Sequence, residues 1–125
     1  MNDINITALL GKTLVEINGE VDGDEITFRC ADGSTYRMWH SQSCCETVVV
    51  ESIVGDWADL LGSPILKAEE STSDETPAGV IHEWEPESQT WTFYKLATIK
   101  GYVDIRWFGR SNGYYSERVD FEQIA

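Results

Sequence analysis

The last third of the chain limits what it can fold into more tightly than any other part. WTFYKLATI (91–99) and YVDIRWF (102–108) are rich in aromatic and β-branched residues, and only Lys100-Gly101 separates them. In the second run Val103, Ile105 and Trp107 share one face while Asp104, Arg106 and Phe108 share the other. A period of two with one apolar face is the signature of a half-buried strand, because successive side chains of extended backbone point to opposite sides. YYSERVDF (114–121) follows after the turn residues 109–113, so the three runs read as an antiparallel meander.

Upstream, EITFRC (25–30) and TYRMWH (35–40) flank Ala31-Asp32-Gly33-Ser34, and Asp-Gly tolerates the positive φ that a tight hairpin needs. TLVEI (13–17) reads as a strand ending at Asn18-Gly19, and the valines of ETVVVESIV (46–54) suggest a central strand buried on both sides. Asp56 is an N-cap for one short helix over 56–61, stopped by Gly62 and Pro64. ILKAEE (65–70) returns to strand, and residues 70–79 read as an acidic loop. The expected fold is mainly β: a single compact antiparallel sheet or partly closed barrel with one short helix near residues 56–61. Its core should centre on Val48, Val49, Val50, Val103, Ile105, Trp107, Val119 and Phe121.

A chain of 125 residues suits one domain, 1–125, and five Trp, five Tyr and four Phe mark it as folded despite its charge. No apolar run is long enough to span a membrane and the N-terminus lacks the pattern of a signal peptide, so the cytoplasm is the expected location. The odd number of cysteines, with Cys44 and Cys45 adjacent, argues for reduced thiols rather than a disulfide framework.

The formal net charge of -13 disfavours direct binding to nucleic acid, whose phosphates demand clustered Lys and Arg. The charge is uneven: residues 1–88 carry -14 and residues 89–125 carry +1. Glu69, Glu70, Asp74, Glu75, Glu83, Glu85 and Glu87 fall in one stretch without a Lys or Arg, a surface for a protein partner with a basic face. A solvated acidic edge that resists strand pairing is the plainer explanation.

Lys95, Arg106, Arg110, Asn112, Tyr114 and Tyr115 form a second constellation, in which guanidinium beside aromatic rings can clamp an anionic, stackable ligand. The plainer explanation is that Arg106 and Arg118 face Asp104, Asp120 or Glu117 across strands. His40, Cys44, Cys45 and Cys30 offer zinc-ligand chemistry, but H-x-x-x-C-C is not a chelating turn, and buried thiols beside a hydrogen-bonded His are the expectation. His82-Glu83 has no second His four residues on, so the zincin pattern fails. No cofactor is implied, and no nucleophile, phosphate loop or triad pattern can be assembled.

LLGKTL (9–14), YRMWHSQSCCE (36–46), VGDWADLLGSPILKAEE (54–70), WTFYKLATIKG (91–101) and IRWFGRSNGYYSE (105–117) together resemble a family of small uncharacterised proteins, mostly bacteriophage-encoded, known only as a domain of unknown function. The resemblance spans nearly the whole chain and implies no site. It implies context: a non-enzymatic accessory protein in the host cytoplasm that binds and inhibits a host protein, as an anti-CRISPR or anti-restriction inhibitor would, through an acidic surface that mimics nucleic acid. The alternative is a sponge that sequesters a small nucleotide signal in the Arg and aromatic pocket, with a homo-oligomer interface as one place to form it. A metal-dependent enzyme is the third reading.

Overall fold

The computed structural model describes residues 4–80 and 86–125. Eight strands carry the fold: β1 Leu14–Asn18, β2 Glu25–Cys30, β3 Thr35–Trp39, β4 Thr47–Val54, β5 Lys67–Ser73, β6 Ser88–Thr98, β7 Gly101–Ser111 and β8 Asp120–Gln123. They form two four-stranded sheets, ordered β1-β2-β3-β8 and β4-β7-β6-β5, and every neighbouring pair is antiparallel.

This corrects the expectation of a single sheet or partly closed barrel. Most of the strands give one face of apolar side chains to the core, and an open single sheet would need helices to cover it. Among the described residues the only helical elements are two 3₁₀ turns of four residues each, Ile6–Leu9 and Trp57–Leu60, far too little cover. The two sheets cover each other instead, and one cluster of buried side chains draws on both: Ile26, Phe28, Met38 and Phe121 from the first, Val50, Leu96, Val103, Ile105 and Trp107 from the second.

The meander is corrected as well. β6 and β7 pair along their full lengths from Ser88↔Ser111 to Thr98↔Gly101, but the chain then leaves that sheet. Only Asp120–Gln123 of the last run is a strand, and it pairs with β3 in the other sheet, Met38 opposite Phe121. Period-two alternation specifies a buried face without specifying which sheet supplies the neighbour. Similarly, β4 is an edge strand rather than a central one, because it pairs only with β7. Val48 and Val50 enter the core while Val49 lies half-buried on the opposite face. The outer edge of β4 is met by the turn before β2, where Asp22 N–H donates to Val50 O at 2.8 Å and Val50 N–H to Gly23 O at 2.9 Å.

The hairpin of β2 and β3 stands as read, Glu25↔Trp39 to Arg29↔Thr35. The short helix near 56–61 is a single 3₁₀ turn, with the Asp56 carboxylate accepting from Ala58 N–H at 2.9 Å. The segment read as an acidic loop from residue 70 is strand through Ser73. No helix among the described residues is long and apolar enough to cross a membrane.

Candidate functional site

The outward face of the second sheet carries the side chains that β4, β7, β6 and β5 do not give to the core. Register arranges them in cross-sheet rows. Ser52 lies opposite Arg106, Arg106 opposite Phe93, and Phe93 opposite Ser71. The next row runs Val54, Asp104, Lys95, Glu69. These eight residues line a cavity of about 620 Å³, within the range of roughly 300–1,000 Å³ that small-molecule sites occupy.

A bulge in β4 sets the geometry of the first row. Register slips between Val50 and Ser52, so Glu51 is the extra residue on that strand. Its carboxylate accepts from Arg106 Nε at 2.6 Å, with the two side chains only 28% and 32% exposed. The guanidinium also lies over the Trp91 ring, 5.6 Å from its centroid. Glu51 occupies one edge of the guanidinium fork, and no other hydrogen-bond acceptor for it stands among the described residues. A guanidinium has five N–H donors, so the remaining edge keeps donors to offer. In the second row Lys95 Nζ is 3.7 Å from Asp104 and 4.9 Å from the Tyr102 centroid, a half-exposed pair of the kind worth little in water.

The sequence constellation is thus divided. Lys95 and Arg106 meet in one groove. Arg110 sits two rows away from Arg106, between Thr47 and Gln89, with the Phe108–Trp91 row intervening. Asn112, Tyr114 and Tyr115 belong to the turn after β7, where Asn112 Oδ1 accepts from Tyr114 N–H at 3.0 Å and the two Tyr rings meet edge to face at 5.1 Å. Arg106 takes Glu51 as its partner rather than Asp104, whereas Arg118 Nε does donate to Asp120, at 2.9 Å. Sequence reasoning missed Glu51, Ser52, Ser71, Phe93 and Asp104. The signal available was that Phe93 and Lys95, like Asp104 and Arg106, alternate with core residues on adjacent strands.

The acidic set is divided too. Glu69 lines the groove, while Glu70 borders both the groove and a smaller cleft of about 370 Å³ that it shares with Thr72, Thr92, Arg118 and Asp120. Partial burial there raises the Glu70 carboxyl and the Arg118 charge opposes the rise. Asp74, Glu75 and Glu87 are exposed where β5 connects to β6. Glu83 and Glu85, with His82, lie outside the described residues.

A second polar cluster is buried. His40 Nε2 is 2.8 Å from Glu46 Oε2 and its Nδ1 is 2.7 Å from the Arg118 carbonyl oxygen. Both ring nitrogens therefore face acceptors. Glu46 also accepts from Ser43 and Cys44 N–H at 2.8 and 2.9 Å. The His40 hydrogen bond and then the Ser43 amide hold its carboxyl down, from the ordinary 4.5 to about 2. Cys44 and Cys45 correct the expectation of reduced, buried thiols: both are exposed, and they are joined to each other. Adjacency in sequence does not keep them apart, because residues 44–45 lie in a bend. Cys30 is buried and free. Among the described residues no three His, Cys, Asp or Glu side chains are grouped to hold a metal ion.

Residues 7–121 match a family model described as Domain of unknown function (DUF7448). The chain belongs to this family. The match covers all eight strand positions except the end of β8, so both groove rows and the His40–Glu46 cluster fall within the family's domain. No curated protein matches the chain, and no solved structure does.

Proposed function

We propose that this protein is a non-enzymatic binding protein that sequesters a small, planar, polar ligand in the groove on the outward face of its second sheet. One observation carries the reading: Arg106 and Lys95, from neighbouring strands, converge with Phe93 on a single cavity of about 620 Å³. An aromatic wall with a few convergent polar groups is the usual composition of such sites. Glu51 supports it further by fixing the guanidinium in advance, which lowers the cost of ordering it on binding. The test is to purify the native protein, release what it holds by denaturation and identify it by mass spectrometry. A polar aromatic compound retained by the native protein and lost in Arg106→Ala is expected. If nothing is retained and no such compound shifts the melting temperature, the reading is wrong.

A second reading has support of its own. Glu69, Glu70, Asp74, Glu75 and Glu87 are exposed on the edge strand β5 and the connection that follows it, where Lys67 is the one cation among the described residues of that stretch. An acidic edge of this kind would be steered to a basic, nucleic-acid-binding partner, as a phage-encoded inhibitor of a host defence protein requires. Changing Glu69, Glu70 and Glu75 to Gln should then slow association with the partner and flatten its salt dependence. Association that ignores both the substitutions and the salt would exclude this route.

A further inference from the structure

Resting on the ligand-binding reading, we infer that the groove is built for a guanine base, held on Phe93 between a donor edge at Arg106 and an acceptor edge at Asp104 and Glu69. The two rows differ in hydrogen-bonding sense. The first offers the edge of the Arg106 guanidinium that Glu51 does not occupy, with Ser52 beside Arg106 and Ser71 at the far side of Phe93. The second offers the carboxylates of Asp104 and Glu69 on either side of Lys95. Side chains two residues apart on one strand face are separated by about 6–7 Å. A ligand lying across both rows must therefore be flat, present acceptors along one side and donors along the other, and be wide enough to reach both.

Guanine has that pattern, with O6 and N7 as acceptors and an amino group and ring N–H as donors. Arg is the usual partner of the first pair, and carboxylates accept from amino groups of bases. Adenine places a donor beside N7, against a guanidinium that can only donate. Stacking on an aromatic ring is indifferent to which base is present, so Phe93 supplies affinity and the rows supply the choice. Charge adds a limit. Arg106, Lys95 and Lys67, which stands 3.8 Å from Glu69, are outnumbered by Glu51, Glu69, Glu70 and Asp104, so the groove does not favour a polyphosphate chain.

The experiment is a titration of the ¹⁵N-labelled protein with guanosine, inosine, adenosine and GTP, followed by amide shifts and by calorimetry. Saturable binding of guanosine is expected, with shifts on β6 and β7 around Phe93 and Arg106. Adenosine should bind at least about tenfold more weakly, inosine should fall between them for want of the amino group, and GTP should bind no better than guanosine. Arg106→Lys and Asp104→Asn should each weaken guanosine by about tenfold or more while leaving the melting temperature and circular dichroism in place. Phe93→Leu stays apolar and removes the stacking surface, so it should weaken all four compounds alike. Equal binding of guanosine and adenosine, or guanosine binding unmoved by Asp104→Asn, would overturn the inference. If guanosine fails while another polar aromatic binds and shifts the same amides, the guanine assignment falls and the binding function stands. If no compound binds, both fall.

Discussion

The indole N–H of Trp107 points at the thioether of Met38, with Nε1 and Sδ 3.0 Å apart. Trp107 belongs to β7 in the second sheet and Met38 to β3 in the first, and both are fully buried, so this contact joins the two sheets through the middle of the core. Trp107→Ala should cost about 3–5 kcal/mol of stability, the usual loss for a large buried aromatic. Met38→Leu conserves volume but leaves the indole N–H without its acceptor, a loss of about 1–3 kcal/mol. Chemical denaturation of both variants checks the pair, and an unchanged Met38→Leu midpoint would show that the sulfur contact contributes nothing.

The Glu46 carboxyl should give the acid limb of the stability curve a component of its own. Its carboxyl is held at about 2 in the folded protein against an ordinary 4.5, so the stabilisation is fully present above about pH 4.5 and disappears as the pH falls toward 2. Glu46→Gln should melt at lower temperature than the parent at pH 6, and the two curves should approach each other as the solution is acidified to pH 2. A constant gap across that window would mean that the Glu46 carboxyl does not titrate as described.

Tyr94 is buried to 1% exposure, its hydroxyl has no hydrogen-bond partner among the described residues, and desolvation drives its ionisation upward, so the phenol stays neutral. An unpaired buried hydroxyl costs free energy that a phenyl ring of the same shape does not. Tyr94→Phe is therefore expected to raise stability, by about 1 kcal/mol, and a fall of that size in the denaturation midpoint would reveal a partner for the hydroxyl.

Gly109 on β7 makes room for the chain that leaves the second sheet. A Cβ there would stand 2.6 Å from the Glu117 carbonyl oxygen and 2.9 Å from the Glu117 Cβ. Glu117 is itself buried and accepts from Thr90 Oγ1 at 2.8 Å and Ser111 Oγ at 2.5 Å, so it has little freedom to retreat. Gly109→Ala should cost about 1–3 kcal/mol, in the range for overpacking. A melting temperature equal to the parent's would show that this segment yields more easily than its hydrogen bonds suggest.

Local pairing was legible in the sequence and global pairing was not. Asp32-Gly33 and Lys100-Gly101 announce hairpins because turn chemistry and alternation act over a few residues. Where β8 goes depends on a partner some eighty residues away, and Val119 and Phe121 look the same whichever sheet receives them. The groove was hidden for a related reason. The eight residues of its two rows come from four strands, and their adjacency exists only once three registers and the Glu51 bulge are fixed. Composition grouped Lys95 and Arg106, which share the groove, with Arg110, Asn112, Tyr114 and Tyr115, which are close in sequence and do not line it. The cysteines were misread because adjacency was taken to forbid a bridge, and residues 44–45 lie in a bend.

The placement of β8 has a consequence for how the chain is made. It pairs with β3, and the Arg37 guanidinium meets Glu122 at 2.5 Å, so strand and ion pair alike wait on residues near 120. The hairpin of β2 and β3 emerges from the ribosome early but has an open edge, and its apolar side is bare, until more than eighty further residues have been translated. Non-local pairing of that kind is slow and leaves strand edges exposed in the meantime. A nascent chain arrested before residue 119 should therefore remain protease-sensitive throughout, including its first forty residues, and become resistant in a single step once β8 clears the exit tunnel.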